Sequence, residues 1–121
     1  MTDSDVTILE LKNAVKKFCD DRDWDQFHGP KELAIGASTE AAELLAIFRF
    51  LTDQQIGEAL KDPKKREHMS EELADTFYFI LRFAQMYGFD LSEGLASKLE
   101  KNEKKYPADK WRGSNKKYNE M

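Results

Sequence analysis

Residues 31–51 read KELAIGASTEAAELLAIFRFL. Leu33, Ile35, Ala37, Ala41, Leu44, Leu45, Ile47, Phe48 and Leu51 occupy most of the circumference of a helix, so the helix from about Lys31 to Leu51 is expected to be buried on several sides. Its middle carries Glu40-Ala41-Ala42-Glu43. Two carboxylates three residues apart share one helical face. The same device recurs in Glu71-Glu72-Leu73-Ala74-Asp75, where Glu72 and Asp75 are the pair. That run lies in a second long helix, predicted from about Pro63 to Tyr87, with Met69, Leu73, Phe77, Ile80, Leu81 and Ala84 on its apolar face.

Acids embedded in apolar surface need partners. Too little positive charge lies beside these four to pair them all. One such pair alone reads as ordinary surface acids. Two pairs, each inside the apolar stretch of its own long helix, converge if the helices pack antiparallel. Their mutual repulsion then raises at least one pKa, and a divalent cation is the natural partner. Glu40, Glu43, Glu72 and Asp75 are therefore candidate metal ligands. Di-iron bundles use Glu-x-x-His pairs; here His68 precedes Glu72 by four, the wrong order and spacing. All-oxygen donors favour Mg²⁺, with Mn²⁺ as the alternative, and Mg²⁺ on carboxylates points to a phosphate substrate.

Outward from these helices the chain continues to read as helix. Thr7-x-x-Glu10 forms a capping box that opens a first helix. Ile8, Leu11, Val15 and Phe18 recur at helical spacing toward its end near Trp24. Asp20, Asp21, Asp23 and Asp25 crowd that end, against the macrodipole. A loop with Gln26, Phe27, His28 and Gly29 leads to Pro30, which suits a first helical turn. Gly36 costs its helix about 1 kcal/mol relative to Ala, which close packing would explain. Thr52 or Asp53 caps a short segment to Leu60, and Gly88 ends the long helix after Tyr87. Ser92 is expected to cap a last helix through Leu95, Leu99 and Tyr106, stopped by Pro107. Residues 108–121 are expected to be an extended or partly ordered basic tail. No strand pattern or repeat appears. The expectation is one all-α domain over residues 1–121, with a four-helix-bundle core. Its surplus apolar surface calls for a homodimer or homotetramer.

The 121 residues carry a net charge of −4 with 35% charged side chains. That argues against coating a nucleic-acid polymer. Residues 91–121 hold eight Lys/Arg against five Asp/Glu. This basic end reads either as a solvated helix terminus or as cations for an anionic ligand. Cys19 is the single cysteine, so no internal disulfide forms, and it fits a small apolar filler in a reducing compartment. The acidic N-terminus does not read as a signal peptide, and no apolar run approaches ~20 residues. A cytoplasmic protein without membrane partners is expected.

Glu40-x-x-Glu43 followed by Glu72-x-x-Asp75 resembles the ExxE…ExxD signature of the MazG-type all-α nucleoside triphosphate pyrophosphohydrolases. Arg22-Asp23-Trp24-Asp25-Gln26-Phe27-His28 resembles the RDWxQFH run of the dCTP pyrophosphatases in that superfamily. Lys98-x-x-x-Asn102-x-x-Lys105-Tyr106-Pro107 and Arg112-Gly113-Ser114 resemble their C-terminal elements. Together these motifs span residues 18 to about 118. The resemblance implies hydrolysis of a dNTP to dNMP and pyrophosphate, with Glu40 as the catalytic base among the four acids. It implies that Lys98, Asn102, Lys105 and Tyr106 contact phosphates or sugar; without it they read equally as a solvated helix. It implies a base pocket at Trp24 and His28, where Trp24 alone reads as a hydrophobic anchor. Phe50 stands where those enzymes usually have Trp, and Phe79 where they often have Tyr. Each keeps a ring and loses an N–H or O–H, so a preference extending from dCTP to modified dCTP or dATP is implied. A broad-specificity MazG-type enzyme is the nearer rival, and a noncatalytic helical oligomeric module the rival of another class.

Overall fold

The computed structural model describes residues 1–116. Its elements are α1 (Ile8–Asp20), a single 3₁₀ turn (Asp25–Phe27), α2 (Pro30–Phe48), α3 (Asp53–Ala59), α4 (Pro63–Tyr87), α5 (Leu91–Lys105) and α6 (Ala108–Trp111). No strand occurs among the described residues, and the all-α expectation is met. The chain forms two compact units, Met1–Gly88 and the remainder from Phe89.

Within the first unit the helix starts follow their local chemistry. Thr7 accepts from the Glu10 amide while Glu10 accepts from the Thr7 amide, both at 3.1 Å. Thr52 and Gln55 repeat that box at α3. Pro30 and Pro63 sit in the first turns of α2 and α4, where a missing N–H loses nothing. Gly88 closes α4 in the left-handed region, φ 75°. α1 ends at Asp20, before Trp24, and α2 ends at Phe48, before Leu51.

α4 is the central element and packs against both α1 and α2. Gly36 of α2 faces the ring of Phe79 of α4 so closely that any Cβ there would enter the ring. Glu40 of α2 meets Glu72 and Asp75 of α4. The later residue of α2 therefore pairs with the earlier residues of α4, and the two helices run antiparallel.

Among the described residues the buried apolar side chains are few: Cys19, Leu33, Ala59, Met69, Leu81 and Ala84. Of the apolar faces read from sequence, Ile35 and Leu45 on α2 and Leu73, Phe77 and Ile80 on α4 remain exposed. The expectation that α2 is buried on several sides is thus not met within one chain, since Leu33 is its single buried residue.

In the second unit α5 is capped by Asp90, whose carboxylate accepts from the Glu93 amide at 2.8 Å. Ser92, expected in that role, lies inside the helix. Asp90 takes precedence because it sits three residues before Glu93 and offers a charged acceptor to the helix N-terminus. The region expected to be an extended or partly ordered tail contains the helical turn α6, with the Trp111 ring edge-on to Tyr106 at 4.8 Å. The rest of the expected tail, residues 117–121, lies outside the described residues.

Candidate active site

Three of the four candidate ligands come together. One carboxylate oxygen each from Glu40, Glu72 and Asp75 lie within 4.8 Å of one another. Glu40 and Glu72 are partly buried and Asp75 is exposed. The helix spacing explains the meeting: Glu72 and Asp75 occupy one turn of α4, level with Glu40 on the antiparallel α2. Glu43 lies one turn further along α2 and is exposed, outside this group.

The cluster is electrostatically unsatisfied. Glu72 Oε2 is buried and meets no hydrogen-bond donor among the described residues. Its Oε1 lies 3.4 Å from His68 Nε2, a side chain that is itself largely exposed. Burial pushes the Glu40 carboxyl above its ordinary pKa, and the charges of Asp75, Glu72 and Glu43 push in the same direction. An orphaned carboxylate oxygen amid converging acids is what an oxygen-ligated cation would satisfy, so the residues present fit a divalent metal.

Phe79 lies one turn beyond Asp75 on the same face of α4, over Gly36. Its edge meets Tyr78, whose ring in turn contacts Phe18. Tyr78 also shares a hydrogen bond with the buried Cys19 at 3.2 Å, and burial raises the phenol pKa. Cys19 is thus a core residue with one polar neighbour.

One turn further along that face is Arg82, which the sequence reading passed over. It is 1% exposed. Its Nε donates to His28 Nδ1 at 2.9 Å, one terminal nitrogen donates to Gln85 Oε1 at 2.6 Å, and the other to Asp25. Tyr87 donates its hydroxyl to the His28 carbonyl at 2.6 Å. α4 therefore fastens the loop of residues 25–28 at both a ring and a backbone group. Burial first, then the Arg82 charge, lowers the His28 pKa, opposed by Asp25. Trp24 stands edge-on to His28 at 6.1 Å and to Phe18 at 5.7 Å, so it anchors the loop while keeping 36% exposure.

Local lysines and this network together account for the crowd of aspartates. Asp20 and Asp21 pair with Lys16 and Lys17 at 2.5 and 2.8 Å, and Asp25 belongs to Arg82. Asp23 takes a left-handed backbone, φ 55°, which Asp tolerates, and Gln26 donates to its carbonyl at 3.0 Å.

The remaining candidates divide between the two units. Phe50, after the end of α2, is 84% exposed beneath the Arg49 guanidinium, 4.8 Å from its ring centroid. Lys98, Asn102 and Lys105 are on α5 and Tyr106 caps its end, in the second unit. There the Lys105 ammonium lies 5.8 Å from the Tyr106 ring centroid.

A family model described as the MazG-like family matches residues 35–121. The chain belongs to the MazG-like family. Among its relatives, the dCTP pyrophosphatase 1 of Homo sapiens is 32% identical over 115 residues, covering 95% of this chain and 68% of that protein. The Bos taurus dCTP pyrophosphatase 1 is 30% identical over 118 residues, covering 98% and 70%. Among solved structures, a pyrophosphatase from Archaeoglobus fulgidus aligns with a TM-score of 0.77 and 35% identity, over 83% of this chain and 92% of that one. The MazG-like match includes both acidic pairs and runs on through α5 and α6.

Proposed function

We propose that this MazG-like chain is a Mg²⁺-dependent nucleoside triphosphate pyrophosphohydrolase that prefers dCTP or a related dNTP and clears unwanted nucleotides. The reaction is dNTP plus water to dNMP plus pyrophosphate. The observation that carries the reading is the meeting of Glu40, Glu72 and Asp75, with one buried Glu72 oxygen left without a donor among the described residues. The relatives named pyrophosphatases support the reaction class.

Glu40, Glu72 and Asp75 would hold the metal, with Glu43 the nearest further carboxylate on α2. Mg²⁺ bound there supplies charge stabilisation at phosphate oxygens and acidity to water. Glu40 is the member suited to take the proton of the attacking water, because burial and its neighbours make its carboxylate more basic than an ordinary one. The water oxygen bonds the α-phosphorus as the bond to the bridging oxygen breaks, and pyrophosphate leaves.

The α4 face supports a polarity for the substrate. Arg82, with His28 and Trp24, lies seven residues beyond Asp75, a rise of about 10 Å. Phe79 stands between them. In this reading Trp24 and His28 meet the base and Phe79 floors the space between base and acids, while Phe50, past the far end of α2 from that loop, is assigned to the base on the strength of the family motifs alone. Lys98, Asn102, Lys105 and Tyr106 are assigned to phosphate and sugar on the strength of the family motifs. The exposed apolar residues of α2 and α4 support a homodimer or homotetramer.

The test is pyrophosphate release from a panel of dNTPs with and without Mg²⁺. Release from dCTP that needs the metal is expected. Equal rates on all bases would favour the broad-specificity reading, and no release from any nucleotide would remove the enzymatic one.

A further inference from the structure

Arg82 is the single charged side chain buried among the described residues, and the hydrolysis itself does not call for it. Its Nε–H points at His28 Nδ1, so that ring nitrogen must be the acceptor. A neutral imidazole has one acceptor and one donor. With Nδ1 accepting, the proton sits on Nε2. A protonated His28 would instead turn an N–H toward the guanidinium N–H, and two donors would face each other. The guanidinium cannot swing away to relieve this. Gln85 and Asp25 hold its other two nitrogens, and the Tyr87 hydroxyl holds the backbone of His28. The charged or titratable groups facing His28 are thus Arg82 from α4 and Asp25 from its own loop, with Tyr87 at its carbonyl.

We infer that Arg82 is a positioning residue that locks His28 as a neutral Nε2–H donor, so that this end of the site selects a substrate carrying a hydrogen-bond acceptor at the matching edge of its base. A pyrimidine 2-carbonyl or unprotonated ring nitrogen meets that demand; an exocyclic amine does not. The inference rests on the proposed reading of His28 as a base contact. It adds the residue that determines which hydrogen-bonding polarity His28 offers.

The test combines nitrogen NMR of the imidazoles with kinetics on dCTP. The chain has two histidines, so a His68→Gln sample assigns the signals. Wild-type His28 is expected as the neutral Nε2–H tautomer at pH 6.5. An Nδ1–H tautomer, or a mainly protonated ring at that pH, overturns the inference without any variant. In Arg82→Met the tautomers should mix and the titration midpoint move upward. KM for dCTP should rise about fivefold, the worth of one positioned hydrogen bond, with kcat at saturation nearly unchanged. An unchanged KM in Arg82→Met, beside a raised KM in His28→Phe, overturns the positioning role and leaves the base pocket standing. An unchanged KM in both variants removes the base-contact reading and the inference with it. Should Arg82→Met not fold, Asp25→Asn releases one arm of the guanidinium from an exposed side chain. It should raise KM in the same direction, and no rise there overturns the inference.

Discussion

The acids show what a single side chain contributes and how far spacing alone could locate it. Glu40, Glu72 and Asp75 were legible because i, i+3 spacing within two apolar helices leaves few ways to pack without bringing acids together. Glu43 satisfied the same pattern, yet it is exposed on α2 and stands outside the group that Glu40, Glu72 and Asp75 form. Replacing Glu72 by Ala should lower turnover by on the order of 100-fold or more, since even residues that merely support a metal ligand are worth 10–100-fold. Circular dichroism should show the helices intact. Glu43→Ala is expected to abolish turnover too if all four acids serve, and near wild-type rates there would confine the metal to the other three. The raised pKa of Glu40 gives a pH signature with a definite sign. The folded state holds that proton more tightly than the unfolded chain, so its stability contribution is complete below the unfolded value and fades as pH rises through the folded one. The metal-free melting temperature should therefore lose this contribution as Glu40 ionises, and the increment from millimolar Mg²⁺ should grow over the same range. Glu40→Gln should flatten both trends; a wild-type Mg²⁺ increment independent of pH would deny that Glu40 exchanges a proton for metal.

At the scale of the helix, local signals located most boundaries and misplaced a few. The boxes at Thr7 and Thr52, the prolines at α2 and α4 and Gly88 each act through their own backbone geometry, so sequence alone suffices for them. The start of α5 offered two capping residues, and Asp90-x-x-Glu93 was the stronger pattern. Asp90→Ala should cost about 1 kcal/mol, while Ser92→Ala, inside the helix, should stay within about 0.5 kcal/mol. Urea unfolding distinguishes the two, and the reverse order would contradict the cap. The packing of α2 on α4 depends on Gly36, whose missing side chain is the seat of the Phe79 ring. Gly36→Ala raises intrinsic helix propensity by about 1 kcal/mol, but the added methyl collides with an aromatic ring hemmed in by Tyr78. Overpacking of this kind costs about 1–3 kcal/mol, so net destabilisation is expected. Phe79→Leu in the same chain should recover part of it. Arg82 was not found because a lone cation within Phe79–Ala84 resembles a residue at the edge of an apolar face. Asp25, the one aspartate of that crowd that Arg82 pairs, did not stand out from Asp20, Asp21 and Asp23, whose roles are local.

For the whole molecule, the all-α class followed from helical periodicity in every long segment, whereas the extent of the core did not. Periodicity marks which faces are apolar but not whether the same chain covers them. The buried apolar set is small, and Leu45, Leu73, Phe77 and Ile80 are left facing outward from the two helices that carry the acids. Water disfavours so much exposed apolar surface on a monomer, which is the ground for proposing a second copy. Sedimentation of the wild type at micromolar concentration should give a dimer or tetramer. Leu45 is 64% exposed in the single chain, so on a monomer Leu45→Arg would change stability by no more than about 0.5 kcal/mol. Across a subunit interface the same substitution buries an unpaired charge, which proteins avoid by dissociating. Leu45→Arg should therefore shift the assembly toward monomer and lower the melting temperature in a concentration-dependent way. A wild type that sediments as a monomer would leave the outward apolar faces needing a different partner. An unaltered oligomer in the variant would move the interface away from this part of α2.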